Sequence, residues 1–165
     1  MRRPAARTFA ATLVAVIIAA LAVAPALAGA QLIDTKAIST EAARAMAQAA
    51  EQEAVKNGWK VSIAVVDANG ALIHFQRMND VSPASVDISQ AKARTAARFR
   101  RPTKVLEETI TAGRTVMLGI EGMLAMEGGV PVIVDGKVIG AVGVSGATSA
   151  QDAQMAAAGI AALKP

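Results

Sequence analysis

The apolar residues of this chain concentrate in a few Val- and Ile-rich runs that are separated by turn residues. Four such runs predict β-strands: 60–67, 71–78 and the two halves of 128–146. The first two runs flank Asn69-Gly70, and the last two flank Asp135-Gly136. A tight type I′ turn needs positive φ, which Gly adopts without strain, so each pair predicts an antiparallel hairpin.

Between these strands, segments rich in Ala, Gln and charged residues predict helices, each bounded by residues that favour helix caps. The predicted helices are 34–57, 82 to about 100, 103 to near 113, and 150–163. The segment 115–127 is ambiguous, and part of it is predicted as a further strand. The order α-β-β-α-α-β-β-β-α has hairpins as its strong strand connections. This order indicates an α+β fold, with an antiparallel sheet and helices on one side.

The first thirty residues predict a secretory signal peptide. Three arginines precede the apolar run 9–24, which Pro25 ends before two A-x-A cleavage sites. A membrane-spanning helix needs ~20 apolar residues, and this run is shorter. We therefore expect cleavage, a single mature domain at 31–165, no stable membrane insertion afterwards, and a periplasmic or secreted protein. The alternative is an uncleaved membrane anchor.

The predicted leader also carries most of the excess charge. The chain has 17 Lys and Arg against 13 Asp and Glu, and the leader holds three of the basic residues and no acidic one. The mature part is therefore nearly neutral, which argues against general nucleic-acid binding. The chain has no Cys, so thiolate metal sites and Cys nucleophiles are excluded. A small domain without disulfides gains stability by assembly, and we expect a homo-oligomer.

Any imidazole chemistry in this chain must use His74, its one histidine. In the predicted strand 71–78, Ile73 and Phe75 alternate with His74. We expect Ile73 and Phe75 to face the core, and His74 to lie on the other face with Met78. His and Met side chains both ligate haem iron. The alternative for His74 is a polar residue on a solvent face or a subunit interface.

A basic run is the second candidate site. It contains no acidic residue between positions 88 and 106, and its members are Lys92, Arg94, Arg98, Arg100, Arg101 and Lys104. Arg94, Arg98 and Arg101 share one helix face by their spacing. Such a stripe can hold carboxylates, for example haem propionates, by charge-assisted hydrogen bonds. The alternative is a solvated face or a contact with a neighbouring subunit.

A corner rich in Gly and Ser, 143–149, is the third candidate. It differs from the nucleophile elbow G-x-S-x-G only by Ala147 at the last Gly position. Hydrolases with that elbow place a His after the nucleophile, and no His follows Ser145. We interpret the corner as a turn that needs small residues. It leads into a helix N-terminus, which is a type of site that can bind an anion.

Several stretches of the chain resemble the GlcG/HbpS family of haem-binding proteins. They are 62–67 with Asn69-Gly70, 75–78, 91–96 with Pro102-Thr103, and 128–131 through 143–146. The motif residues are Arg77, Met78, Lys92, Thr95, Pro102, Thr103 and Asp152. The resemblance implies a five-stranded antiparallel sheet with flanking helices, in a layer architecture like that of profilin and PAS domains. It also implies a homo-oligomer that binds haem or a related tetrapyrrole.

The first functional hypothesis is an exported haem-binding protein that sequesters, senses or handles haem. In this hypothesis a membrane sensor or transporter is a further partner. The predicted cofactor-binding residues are His74, Arg77, Met78, Lys92, Arg94 and Thr103, and the predicted metal ligand is His74. The second hypothesis is an enzyme acting on haem or a small carboxylate, although the sequence offers no base–nucleophile pair. The third is an accessory or assembly module without a small-molecule ligand.

Overall fold

Four helices and four strands make up the described residues, 33–164, in a computed structural model. The helices are α1 (Thr40–Lys56), α2 (Ala84–Phe99), α3 (Thr103–Thr111) and α4 (Ser149–Ala161). The strands are β1 (Ser62–Asp67), β2 (Leu72–Arg77), β3 (Gly129–Val134) and β4 (Lys137–Ser145). A 3-10 helix, Thr115–Gly119, lies between α3 and β3. The predicted signal peptide, 1–30, lies outside the described residues.

The starts of α1 and α4 follow from their capping residues. Helix α1 begins later than predicted, because the Ser39 side chain, not Asp34, caps it by accepting a hydrogen bond from the Ala42 amide at 3.1 Å. Helix α4 begins at a capping box, in which Thr148 and Gln151 bond to each other's backbone amides.

The strands form one antiparallel sheet in the order β2-β1-β4-β3. Both predicted hairpins, β1–β2 and β3–β4, are confirmed. In the second hairpin Asp135 and Gly136 both have positive φ, 50° and 73°, as a type I′ turn requires. Strands β1 and β4 pair at the centre, so the two hairpins are joined by their inner strands.

The prediction of a fifth strand is wrong, because the described sheet has four strands. The segment predicted to contain the fifth strand starts with the 3-10 helix and continues without regular structure to β3. Two of its backbone amides bond to side chains of the helices instead of to a strand. The Leu124 amide donates to Thr95 Oγ1 at 2.9 Å, and the Glu127 amide donates to a carboxylate oxygen of Glu107 at 2.6 Å.

Helices cover both faces of the sheet, so the prediction of helices on one side is also wrong. Helices α1 and α4 pack together on one face, where Met46, Ile63, Val142 and other buried residues form the larger core cluster. Helix α2 covers the opposite face, where a smaller and Ala-rich cluster includes Ala93. The fold is therefore a three-layer arrangement with the sheet in the middle.

A β-bulge in the first hairpin changes which side chains share a face. Val65 pairs with His74 but Val66 pairs with Leu72, so Ile73 is an extra residue. Ile73 therefore packs against the larger cluster, whereas Phe75 packs against the smaller cluster on the other face. The prediction that Ile73 and Phe75 face the same core is wrong, because alternation fails at a bulge.

Helix α2 lies unusually close to the sheet, and glycine makes this approach possible. A Cβ atom at Gly143 would stand 2.2 Å from the Ser89 carbonyl oxygen, and one at Gly129 would stand 2.4 Å from the Lys92 carbonyl oxygen. Any side chain at these positions would push the helix outward. At the corner after β4, a Cβ atom at Gly146 would stand 2.2 Å from the Lys60 carbonyl oxygen, which fits a turn that needs small residues.

Candidate functional site

The most enclosed ion pair within residues 33–164 joins Lys92 of α2 and Asp152 of α4. Lys92 Nζ and Asp152 Oδ2 are 2.8 Å apart, and the side chains are 1% and 2% exposed. Because α2 and α4 lie on opposite faces of the sheet, the pair joins the two helical layers. A Cβ atom at Gly128, which immediately precedes β3, would stand 2.7 Å from Lys92 Nζ. The glycine therefore leaves room for the ammonium group.

The surroundings of Asp152 act on its protonation in two directions. Burial raises the pKa of the Asp152 carboxyl above its ordinary value, because a charged carboxylate loses its water shell. The Lys92 ammonium opposes this increase in pKa, and so does the Ala147 amide, which donates to Asp152 Oδ1 at 3.1 Å. Both carboxylate oxygens thus have a partner within the fold.

Thr103 is equally enclosed at the start of α3. Its Oγ1 accepts a hydrogen bond from the Gly129 amide at 2.9 Å and donates one to the Gly129 carbonyl at 3.3 Å. These bonds tie α3 to the edge strand β3. Like Lys92, Thr103 is buried and has its polar group paired inside the protein.

The other predicted site residues lie on different surfaces. His74 pairs with Val65 and is half-buried on the face covered by α1 and α4, and Met78 packs against the core of that face. Arg77 pairs with Ser62, whose hydroxyl contacts α2, so Arg77 belongs to the opposite face. Arg77 and Met78 nevertheless line one polar surface pocket of about 450 Å³ with Asn79 and Asp80.

Arg94 of α2 lies at the turn of the first hairpin. A Cβ atom at Gly70 would stand 3.0 Å from Arg94 Cγ, so the arginine stem covers this glycine. Arg98 donates from Nε to the Asn69 carbonyl at 2.9 Å. These two members of the predicted basic stripe thus hold the hairpin turn. The fold brings together neither the six predicted cofactor-binding residues nor the whole stripe.

A cleft that the sequence analysis did not single out lies between the end of α2, helix α3 and the 3-10 helix. We call it the arginine-flanked cleft. It has a volume of about 330 Å³ and is lined by Phe99, Arg101, Leu106, Thr109, Arg114, Met117 and Ile120. Of these residues, only Arg101 belonged to the predicted basic run. The available sequence signal was the apolar stretch 116–118, which begins two residues after Arg114 in the segment that was partly predicted as a strand.

The chain segments that form this cleft, and the segment that follows them, carry exposed apolar side chains. The exposed side chains of this region include Val105, Val116, Leu118, Ile120 and Met126, of which Val116 is 77% and Leu118 is 67% exposed. Contiguous exposed apolar surface commonly marks a site for a ligand or another protein. This region is therefore the strongest candidate for binding among the described residues.

The described part of the chain was also compared with the requirements of a metal site and of a membrane-spanning helix. Residues 33–164 contain no group of three or more His, Cys, Asp or Glu side chains placed to hold a metal ion. Within the same range, no helix has the length and apolar character needed to cross a membrane.

Comparison with known proteins identifies relatives over most of the chain. A family model described as "Haem degrading protein HbpS-like" matches residues 38–161. Protein GlcG of Escherichia coli K12 is 53% identical over 108 residues, which cover 66% of this chain and 81% of GlcG.

Solved structures agree with this assignment. A double mutant of HbpS from Streptomyces reticuli superimposes with a TM-score of 0.76 at 37% identity, covering 86% of this chain and 98% of HbpS. The PduOC:heme complex superimposes with a TM-score of 0.73 at 28% identity, covering 78% of this chain and 96% of PduOC. The resemblance inferred from the sequence is confirmed, and the chain belongs to the GlcG/HbpS family.

Proposed function

We propose that this chain is an exported haem-binding protein. The observation that carries the proposal is its likeness to PduOC, which was solved as a haem complex and covers 78% of this chain. The family model's description also refers to haem. The solved relative and the family description therefore both point to a tetrapyrrole as the ligand class.

The described residues supply the chemistry that haem requires. Haem combines a flat apolar ring, two carboxylates and an iron ion that accepts His or Met ligands. Exposed apolar side chains around 115–126 provide surface for a ring, and the basic residues of α2 and the following turn provide partners for carboxylates. His74 is half-buried on a different surface, the face covered by α1 and α4, so in this proposal it is the iron ligand of a haem that binds there or between subunits.

Lys92 and Thr103 have a supporting role in the proposal. Because both are buried and bonded inside the fold, we assign them to positioning α2 and α3 instead of to direct ligand contact. Their effect on haem binding would then pass through the stability of these helices.

The biological role that we propose is sequestration, sensing or handling of haem outside the cytoplasm, by a homo-oligomer that works beside a membrane sensor or transporter. The export part depends on the predicted signal peptide at 1–30. The oligomer part is checked by light scattering of the mature protein, where a monomer mass would contradict it.

Titration of the mature protein with haemin tests the central proposal. We expect a saturable shift of the Soret band and a defined stoichiometry. A spectrum identical to that of haemin in buffer would overturn the proposal. The same titration with His74→Ala tests the ligand: a changed Soret maximum supports His74, and an unchanged one removes it.

Haem degradation is a second candidate, favoured by the description of the matching family model. Its test is to add a reductant to the aerobic haem complex and to follow the Soret band. Loss of absorbance faster than for haemin alone, with an identifiable product, would support turnover. A Soret band as long-lived as that of haemin alone would contradict it and leave binding as the function.

A further inference from the structure

The arginine-flanked cleft combines an apolar lining with two guanidinium groups. Phe99 and Leu106 come from the end of α2 and from α3, whereas Met117 and Ile120 come from the 3-10 helix and the residue after it. An aromatic ring and three aliphatic or thioether side chains can pack against part of the flat apolar face of a large ring system. The cleft also contains Met117, whose thioether is a type of haem-iron ligand.

Arg101 is held at the cleft by the way α2 ends. Arg100 ends the helix with a left-handed φ of 54°, a position where Gly is usual. The Arg101 amide then donates to the Ala96 carbonyl at 3.3 Å, and its Nε donates to the Phe99 carbonyl at 3.2 Å. Strained backbone of this kind concentrates at functional sites. Since only Nε is used in this bond, the terminal nitrogens of Arg101 retain donors for a ligand.

Arg114 supplies the second positive charge on the cleft. It lies between α3 and the 3-10 helix, and its amide donates to the Thr109 carbonyl at 3.2 Å. Among the ion pairs within 33–164, neither Arg101 nor Arg114 takes part. Two guanidinium groups without a carboxylate partner in this part of the protein match a ligand that carries two carboxylates.

From this arrangement we infer that the tetrapyrrole binds in the arginine-flanked cleft, with its carboxylates on Arg101 and Arg114 and its ring on the apolar lining. The inference rests on the proposed function and deepens it by locating the ligand. It moves the expected site from β2 and the start of α3 to the region around the 3-10 helix, and it replaces His74 by Met117 as the candidate iron ligand.

The first arm of the test compares two ligands on the unaltered mature protein. Haemin and haemin dimethyl ester are titrated in the same mixture of buffer and dimethyl sulfoxide, and the Soret shift is followed. The ester has the same ring and iron but no charged carboxylates. Because charge-assisted hydrogen bonds stabilise by more than neutral ones, we expect the ester to bind about tenfold more weakly, or worse.

The second arm removes the guanidinium groups one at a time. Arg101→Gln and Arg114→Gln should each weaken haemin binding by about tenfold, and the double variant should bind haemin and its ester alike. The matched control is Arg44→Gln, an exposed arginine of α1, which should bind as the unaltered protein does. All three arginines are exposed, and thermal unfolding verifies that each variant is folded.

The outcomes separate this inference from the proposed function. Absence of any saturable Soret shift in the unaltered protein overturns the proposed function and this inference with it. Normal haemin binding that is insensitive to both arginine substitutions overturns only the location. Loss of binding in His74→Ala, with full binding in the arginine variants, would likewise place the ligand elsewhere and overturn the location.

Discussion

The ion pair between Lys92 and Asp152 joins helices that lie on the two faces of the sheet. Neither partner is accessible to water, so the loss of one leaves the other charge buried without compensation. The pair is therefore expected to matter far more for stability than the exposed ion pair between Lys36 and Asp135.

Substitution of Lys92→Met should lower the free energy of unfolding by about 3–5 kcal/mol, because Asp152 would lose its buried counter-charge. Urea unfolding followed by circular dichroism measures the loss. The control Lys36→Met removes the exposed pair and should cost less than about 1 kcal/mol. Adding Asp152→Asn to Lys92→Met should restore part of the stability. Equal losses for the two lysine variants would contradict the assigned role.

The contribution of an uncharged contact to stability can be measured in the same way at Thr103. Thr103→Val removes the hydroxyl that bonds to both backbone groups of Gly129, and it should cost about 1–3 kcal/mol because those groups stay buried. The control is Thr111→Val, an exposed residue whose hydroxyl bonds only within its own helix. Similar unfolding midpoints for the two variants would show that the Thr103 contact contributes little.

These residue contacts were only partly predictable from the sequence. Lys92 and Asp152 both belong to the motif of the family resemblance, yet they are 60 residues apart. No local pattern of charge or spacing indicates that they meet, because the contact depends on how α2 and α4 lie across the sheet. The burial of Thr103 depends on the same tertiary packing. Thr103 lies at the predicted start of α3, but its hydroxyl bonds to Gly129 instead of capping the helix.

At the scale of elements, the packing of α2 on the sheet depends on glycine in β4 and at the start of β3. The helix backbone lies so close to Gly143 that a methyl group there would meet both the Ser89 carbonyl and the Ala93 amide, at 2.2 Å and 2.5 Å. These atoms belong to regular backbone and cannot rotate away. The helix as a whole would have to move.

Gly143→Ala should therefore destabilise the protein by about 1–3 kcal/mol or more, through overpacking of α2 on the sheet. The control Gly119→Ala places a methyl group where no atom lies within 4 Å, and its effect should stay within about 0.5 kcal/mol. Thermal unfolding compares the two variants. A Gly143→Ala protein as stable as the control would show that the layers separate easily.

The segment 115–127 shows where local sequence rules stop being informative. Its Val, Met, Leu and Ile residues suit a strand, but two of its amides bond to helix side chains that are distant in sequence. The Leu124 amide bonds to Thr95, 29 residues away, and the Glu127 amide bonds to Glu107, 20 residues away. The two hairpins, in contrast, were predicted correctly because a turn dipeptide and its flanking strands are adjacent in sequence.

Thr95→Val provides a test of this interpretation. The variant removes the acceptor of the Leu124 amide, so exchange of amide hydrogens in 120–126 should become faster, while α1 keeps its protection. Hydrogen–deuterium exchange with mass spectrometry resolves the two regions. Unchanged exchange in 120–126 would contradict the view that α2 holds this segment in place.

For the whole molecule, the sequence indicated the class of fold but not how its layers are arranged. Capping residues and turn dipeptides act locally and predicted most helices and strands. The side of the sheet on which each helix packs depends on long-range contacts, such as the close approach of α2 to Gly129 and Gly143. The site was hard to predict for the same reason, because its lining comes from three separate elements.

The predicted signal peptide is tested at this scale. The compact unit starts at Thr35, and the first buried apolar residue in 33–164 is Ile38, so cleavage after Ala28 or Ala30 leaves the core complete. We expect protein recovered from the periplasm or culture medium to begin at Gly29 or Gln31, as read by N-terminal sequencing. A chain lacking residues 2–30 should fold equally well but remain in the cytoplasm, since it lacks only the predicted signal peptide. Recovery of the chain with Met1 intact in the membrane fraction would instead support the alternative of an uncleaved anchor.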